Sequence, residues 1–141
     1  MEFKIVKGLP PNIDEIRRSG LKPDETTVYA FRDRIYNPSD LEIPADVLYH
    51  EQVHIKQQQT FPLAEYWWTK YLNSREFRAS QEIEAYAHQY LFVNKTLGAK
   101  AASDCMEEMS AMLSSKIYNL GINKYQAQTA IRYKAKELNA T

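Results

Sequence analysis

The segment from Pro44 to Gln59 reads Pro-Ala-Asp-Val-Leu-Tyr-His-Glu-Gln-Val-His-Ile-Lys-Gln-Gln-Gln, and it constrains the chain more than any other stretch. It carries His-Glu-x-x-His at helical spacing. On a helix, His50 and His54 lie one turn apart on a single face, where two imidazoles can share one tetrahedral cation. Glu51 then points about 100° around the helix, beside the cation rather than at it, where a base acting on water must stand. Pro44 suits a helix start, Asp46 the positive end of the dipole, and Lys56 the later turns. Val47, Leu48, Val53 and Ile55 supply the apolar contacts.

Catalytic zinc takes three protein ligands and leaves one position open, so a third group is required. His88 is the one other histidine. The stretch Arg75 to His88 has helical composition and contains Glu76, Glu82 and Glu84. Glu82 and Glu84 are two residues apart and face roughly 200° away from each other, so only one of them reaches a given point. Glu84 and His88 share a face and form either a ligand or support pair or a plain surface pair.

The rest of the chain has to supply a scaffold. Its 141 residues suit one domain with one main core. With 18 basic and 18 acidic residues, nothing in the charge balance calls for a polyanionic partner. Cys105 is alone and forms no internal disulfide. The first residues lack the apolar core of a secretion signal and no run is long enough to span a membrane, so cytoplasmic residence is the expectation.

Residues 1–43 are expected to form a small β/α part. Phe3 to Val6 reads as a strand and Asn12 to Ser19 as a short helix closed by Gly20. Thr26 to Tyr36 has strand composition on both sides of Arg32-Asp33-Arg34 and is either a hairpin or one long strand. Such an edge can hold a substrate by main-chain hydrogen bonds, or can simply cover the metal helix. In residues 44–97, Pro62 is expected to break the first helix, with a second helix over Leu63 to Leu72 whose aromatics read as core. Gln58, seven residues after Glu51, either points toward the cleft or lies on a solvated face, and the latter reading is preferred.

Residues 98–141 read as a helical hairpin. Ser103 is expected to cap the first helix, with Met106, Met109, Leu113, Ile117 and Leu120 forming one stripe before Gly121 closes it. The second runs from Tyr125 to Leu138 with Ala127, Ala130, Ile131, Ala135 and Leu138 inward. Lys124, Arg132, Lys134 and Lys136 would also suit a helix-turn-helix, but the loose turn and zero net charge make nucleic acid the disfavoured partner.

His50-Glu51-x-x-His54, followed by Glu82-x-Glu84-Ala85-Tyr86-Ala87, resembles the gluzincins, zinc peptidases with a glutamate as third ligand. The likeness is greatest to small bacterial and phage metallopeptidases, and it covers Val47 to Gln89. The elements read above make an α+β fold the expectation, mostly helical with a small N-terminal sheet, and the resemblance implies that it is zincin-like. It also implies Zn²⁺ held by His50, His54 and Glu82, since Glu82 with Ala85 three residues later fits the family spacing. Glu84 is the alternative, and Glu76, with Ala79 at the same offset, ranks third. Where many relatives place Asp or Asn to hydrogen-bond a metal histidine, this chain has Tyr86, expected to do part of that work or to polarise a carbonyl. Lys56 stands where the extended pattern is apolar, so that helix end is expected to be exposed.

The resemblance implies peptide-bond hydrolysis of a peptide or protein substrate by metal-activated water, with Glu51 as general base. Tyr86, Tyr49 or an edge-strand residue are the candidate oxyanion donors. The competing expectation is a catalytically silent zincin-fold structural or interaction protein.

Overall fold

A computed structural model describes residues 2–140. Within them lie a three-stranded sheet and six helices, the mostly helical α+β architecture expected from the sequence. The strands β1 (Lys4–Val6), β2 (Tyr29–Phe31) and β3 (Arg34–Tyr36) are ordered β1-β3-β2. Of the two forms expected for residues 26–36, the hairpin is the one adopted: β2 and β3 pair antiparallel, with Ala30 opposite Ile35, and β1 runs parallel to β3 with Ile5 opposite Ile35. Arg32 makes the turn with φ 60°, a conformation unfavourable for a side chain with a Cβ. Two contacts offset that strain: its N–H donates to Gln58 Oε1 at 2.8 Å, and its guanidinium pairs with Glu65 at 2.7 Å.

The short helix α1 (Ile13–Arg18) precedes the hairpin, and α2 (Ala45–Gln59) follows it, with Pro44 at its N-cap. Thr60, Phe61, Pro62 and Leu63 separate α2 from α3 (Ala64–Asn73). The Ser74 side chain accepts from Phe77 N–H and starts α4 (Arg75–Leu97), the longest helix. Gly98, at φ 95°, ends it and opens α5 (Ala99–Leu113); α6 (Lys124–Asn139) completes the chain. Asn123 and Gln126 form a reciprocal capping box at its start, which satisfies two otherwise orphaned N–H groups.

The expected α5 differs at both ends. It begins behind Gly98, so Ser103 is an exposed helical residue rather than a cap. It stops at Leu113, because the hydroxyls of Ser114 and Ser115 bond back to carbonyls at Ser110 and Met112 and compete with the helical ladder. Asn119 (φ 51°) and Gly121 (φ 72°) then turn the chain. Ile117 and Leu120 therefore belong to an irregular connector, residues 114–123, not to a helical stripe. That connector is longer than the three- or four-residue turn of a helix-turn-helix, and the inner face of α6 packs on α4 and α5, as in the helical hairpin expected.

α4 is the axis of the molecule. Against α5 and α6 it buries Val93, Met106, Met109, Leu113, Ala127 and Ile131. A second apolar cluster, with Ile16, Tyr29, Phe31, Trp67, Trp68 and Tyr71, joins α1, the sheet and α3. Ile35 and Ile55 are fully buried where the sheet meets α2, each contributing on the order of 1.5–3 kcal/mol by leaving water. Between these clusters α2 crosses α4 along a polar seam. Among the described residues no helix is long and apolar enough to cross a membrane.

Candidate metal centre

The seam contains the His-Glu-x-x-His histidines and the glutamate chosen by resemblance. His50 Nε2 and His54 Nε2 are 3.1 Å apart, and each lies 3.1 Å from Glu82 Oε1. The three atoms form a nearly equilateral triangle, and all three residues are buried.

The triangle has no internal source of attraction between uncharged rings. His50 Nδ1 faces Gln89 Oε1 at 3.0 Å and His54 Nδ1 faces Gln57 Oε1 at 2.7 Å. Both amides are oriented by their other end: Gln57 Nε2 donates to Gln81 O and to Glu84 Oε1, each at 3.0 Å, and Gln89 Nε2 donates to Asp46 Oδ2 at 2.7 Å. The amide oxygens therefore face the rings and each Nδ1 must donate. In the neutral tautomer that leaves both Nε2 atoms as bare lone pairs, aimed at each other and at a carboxylate oxygen. Three acceptors so placed repel unless a cation joins them. In a tetrahedral zinc site with bonds of about 2.0–2.1 Å, neighbouring ligand atoms stand about 3.3 Å apart, so the spacing and the donor set both fit such an ion.

The electrostatics agree. Burial opposes charge on His54, yet the adjacent Glu82 carboxylate outweighs it and pushes the imidazole up to about 9. Burial likewise opposes ionisation of Glu82, and the two histidines overcome it, holding the carboxyl far below its usual range. Without a metal, a proton on His54 supplies the positive charge that the triangle demands.

The second oxygen of Glu82 is held by the Tyr71 hydroxyl, which donates to Oε2 and leaves Oε1 turned to the histidines. Tyr71 stacks on Trp67 (ring centroids 4.9 Å apart), and Trp67 lies 5.5 Å from the His54 ring. Tyr86 packs edge-on to His50 at 4.4 Å, and its hydroxyl pairs with that of Tyr118 at 2.7 Å. Burial, then the negative charge of Glu82, raise the pKa of Tyr71, Tyr86 and Tyr118 well above normal, so these hydroxyls stay protonated.

Glu51 differs from every other group here. It is 8% exposed, yet no hydrogen-bond donor among the described residues reaches its carboxylate, and its Oε2 stands 4.0 Å from His50 Nε2. Burial pushes its pKa upward. His50, Glu51 and His54 by themselves bring three potential ligand atoms within 4.8 Å. Glu82 is nonetheless the better placed to act as a third ligand, being 3.1 Å from both nitrogens and already oriented by Tyr71. Glu51 instead opens onto two cavities. One, of about 80 Å³, lies against Trp67, Trp68 and Tyr71; the other, of about 510 Å³, runs outward past Tyr118 toward α5.

Several sequence expectations are corrected by this arrangement. Glu84 stands outside the triangle, its carboxylate accepting from Gln57 Nε2 at 3.0 Å. Glu76 is exposed in the first turn of α4. His88 is half-buried with Tyr49 and Lys56 around another cavity, and Tyr49 stacks on Phe92 at 4.8 Å, so neither His88 nor Tyr49 serves the centre. Lys56 is exposed as expected. Tyr86 hydrogen-bonds neither histidine of the triangle: its hydroxyl is engaged by Tyr118, and its ring packs on His50. Gln58 is buried rather than solvated: its amide takes Arg32 N–H and, with Trp68 Nε1, the carbonyl of Ala30. The edge of β2 is thereby covered at Ala30 and Arg32, which removes that part of it as a strand-pairing surface for substrate.

Gln57, Gln89, Tyr71 and Tyr118 were not anticipated as site residues. Gln57 follows His54 by three and Gln89 follows Glu82 by seven, spacings that share a helix face, so a search along those faces would have found both. Comparison with protein-family models, with curated proteins and with solved structures gave no match.

Proposed function

We propose that this chain is a zinc-dependent metallopeptidase acting on peptide or protein substrates in the cytoplasm, with Zn²⁺ held by His50, His54 and Glu82. One observation carries the reading: three converging lone pairs, with both histidine tautomers set by glutamines, beside a buried Glu51 that no hydrogen-bond donor among the described residues reaches and that opens onto a cleft. When bound, zinc supplies Lewis acidity, polarising a carbonyl and making water a stronger acid. Glu51 accepts a proton from the water whose oxygen adds to the scissile carbonyl carbon. As the C–N bond breaks, Glu51 returns that proton to the departing amine, and the water oxygen remains in the new carboxyl group. Tyr118 lines the cleft beside Glu51, and its hydroxyl, paired with that of Tyr86, stabilises the developing oxyanion when Tyr86 supplies the proton of that pair.

A structural role for the metal uses the same buried ligands, and Glu51→Gln separates the two. For an enzyme, Glu51→Gln retains wild-type zinc content and lowers peptide cleavage by about 10²- to 10⁴-fold, the usual worth of a general base. Cleavage unchanged by that substitution contradicts the assigned role of Glu51. An absence of cleavage in wild type, tested with a mixed denatured-protein substrate, favours the structural reading.

A further inference from the structure

The larger cleft runs outward from Glu51. One part of its wall is apolar: Ile43 stands just before α2 and Val47 in its first turn, with Met109 and Met112 from α5 and Ile117 from the connector. Val47 stands one turn before Glu51 on the same helix, so this wall begins next to the reacting position. Methionine is unbranched and polarizable and adapts to differently shaped apolar groups. At about 510 Å³, the cavity falls in the range of ligand sites, about 300–1,000 Å³.

The charge of the lining has one sign. Asp24, Glu42, Asp46 and Glu108 stand around it together with Glu51, and no lysine or arginine among the described residues lines it, although the chain as a whole is balanced at 18 to 18. Asp24 accepts from Thr26 N–H and from the hydroxyls of Thr26 and Thr27, which hold its carboxyl below its usual range. Asp46 accepts from Gln89. Glu42 and Glu108 are exposed and form no ion pair among the described residues. At the inner end lies the Glu51 carboxylate, 8% exposed and facing the cleft.

We infer that this cleft selects peptides bearing a large apolar side chain beside the scissile bond and a lysine or arginine within a few residues of it. The apolar side chain enters between Val47 and the methionines, and the cation meets the rim carboxylates. A cleft of one sign between low-dielectric walls concentrates ligands of the opposite charge. Acidic peptides meet repulsion at the rim carboxylates. This inference rests on the peptidase reading and adds to it the substrate class.

The test uses zinc-loaded full chain and four quenched-fluorescence peptides of equal length: leucine with lysines, leucine with glutamates, alanine with lysines, and leucine with neutral flanks. Binding of the same peptides to zinc-loaded Glu51→Gln is followed by anisotropy at low and high salt. The leucine–lysine peptide should be cleaved with kcat/KM about tenfold or more above the leucine–glutamate peptide. It should also bind Glu51→Gln more tightly, with an advantage that shrinks in high salt. Glu42→Lys/Glu108→Lys should narrow or reverse the preference. Equal cleavage of all four peptides, or a preference for the acidic one, overturns the substrate class while leaving the peptidase reading intact. Failure to cleave any of them, when a mixed denatured-protein substrate is cleaved, also overturns the substrate class alone. Failure on both substrates removes the peptidase reading, and the inference with it.

Discussion

Gln57 and Gln89 decide the chemistry of two histidines without touching the point where those histidines converge. Each amide oxygen fixes an Nδ1–H, and each amide nitrogen is tied to a second acceptor, so neither ring can turn its other tautomer inward. Gln57→Leu or Gln89→Leu keeps the volume and removes the constraint. Either change should weaken zinc affinity by about 10- to 100-fold, the usual worth of an outer-shell partner, as measured by competition with a chromophoric chelator. Proton linkage follows from the same residues. In the metal-free protein His54 is raised from 6.5 to about 9, so its pairing with Glu82 stabilises the fold fully below about pH 6.5 and is lost as pH rises through about 9. Glu82 is depressed from 4.5, so its contribution is present above about pH 4.5 and is lost as pH falls below that. Metal-free stability should therefore be greatest between these limits, which chemical denaturation across pH 4 to 10 would check. Zinc displaces the His54 proton, so below about pH 9 uptake should release roughly one proton per ion and tighten with rising pH. Calorimetry in buffers of different ionisation enthalpy would count that proton.

α2 and α4 were legible in the sequence because their signals are local. His50 and His54 state their own relative position through the helical repeat, and Glu82 was selected from three glutamates by its match to a family spacing. The burial of Gln58 is not legible locally, because it is decided by the backbone of Arg32 and Ala30, 26 and 28 residues away. The α5 boundary failed for another reason: Ile117 and Leu120 continue the apolar spacing of Met106, Met109 and Leu113, while Ser114 and Ser115 end the helix beneath that pattern. The break matters, since it is the connector, not a helix, that carries Tyr118 to the cleft. Arg78 on α4 holds this connector. It donates to Tyr118 O at 2.8 Å, to Asn119 O at 3.4 Å and, at the end of α3, to Tyr71 O at 2.8 Å. Arg78→Met should cost about 2–4 kcal/mol in unfolding free energy through the carbonyls left unpaired. It should lower cleavage further by loosening Tyr118, with zinc content unchanged. A loss of zinc in Arg78→Met would place its role at the ligands rather than at the connector.

Across the whole molecule, α4 faces one apolar cluster with α5 and α6, while a second cluster joins α1, the sheet and α3; the polar seam between α2 and α4 lies between them. That division explains why the small-sheet, mostly helical fold was readable from composition and punctuation, whereas the supports of the site were not: Tyr71 reads as one more core aromatic until α3 is packed on α4. It also concentrates the account in one claim, that the seam is a zinc centre made by His50, His54 and Glu82. The most direct test is elemental analysis of metal per chain, on protein purified without added metal and again after zinc titration. Wild type would be compared with Glu82→Ala, Glu84→Ala and the double variant His50→Ala/His54→Ala. One zinc per wild-type chain is expected, lost in the double variant, strongly reduced in Glu82→Ala and kept in Glu84→Ala. Wild-type protein that neither carries zinc nor takes it up on titration would contradict the claim, as would a Glu82→Ala protein that binds zinc like wild type.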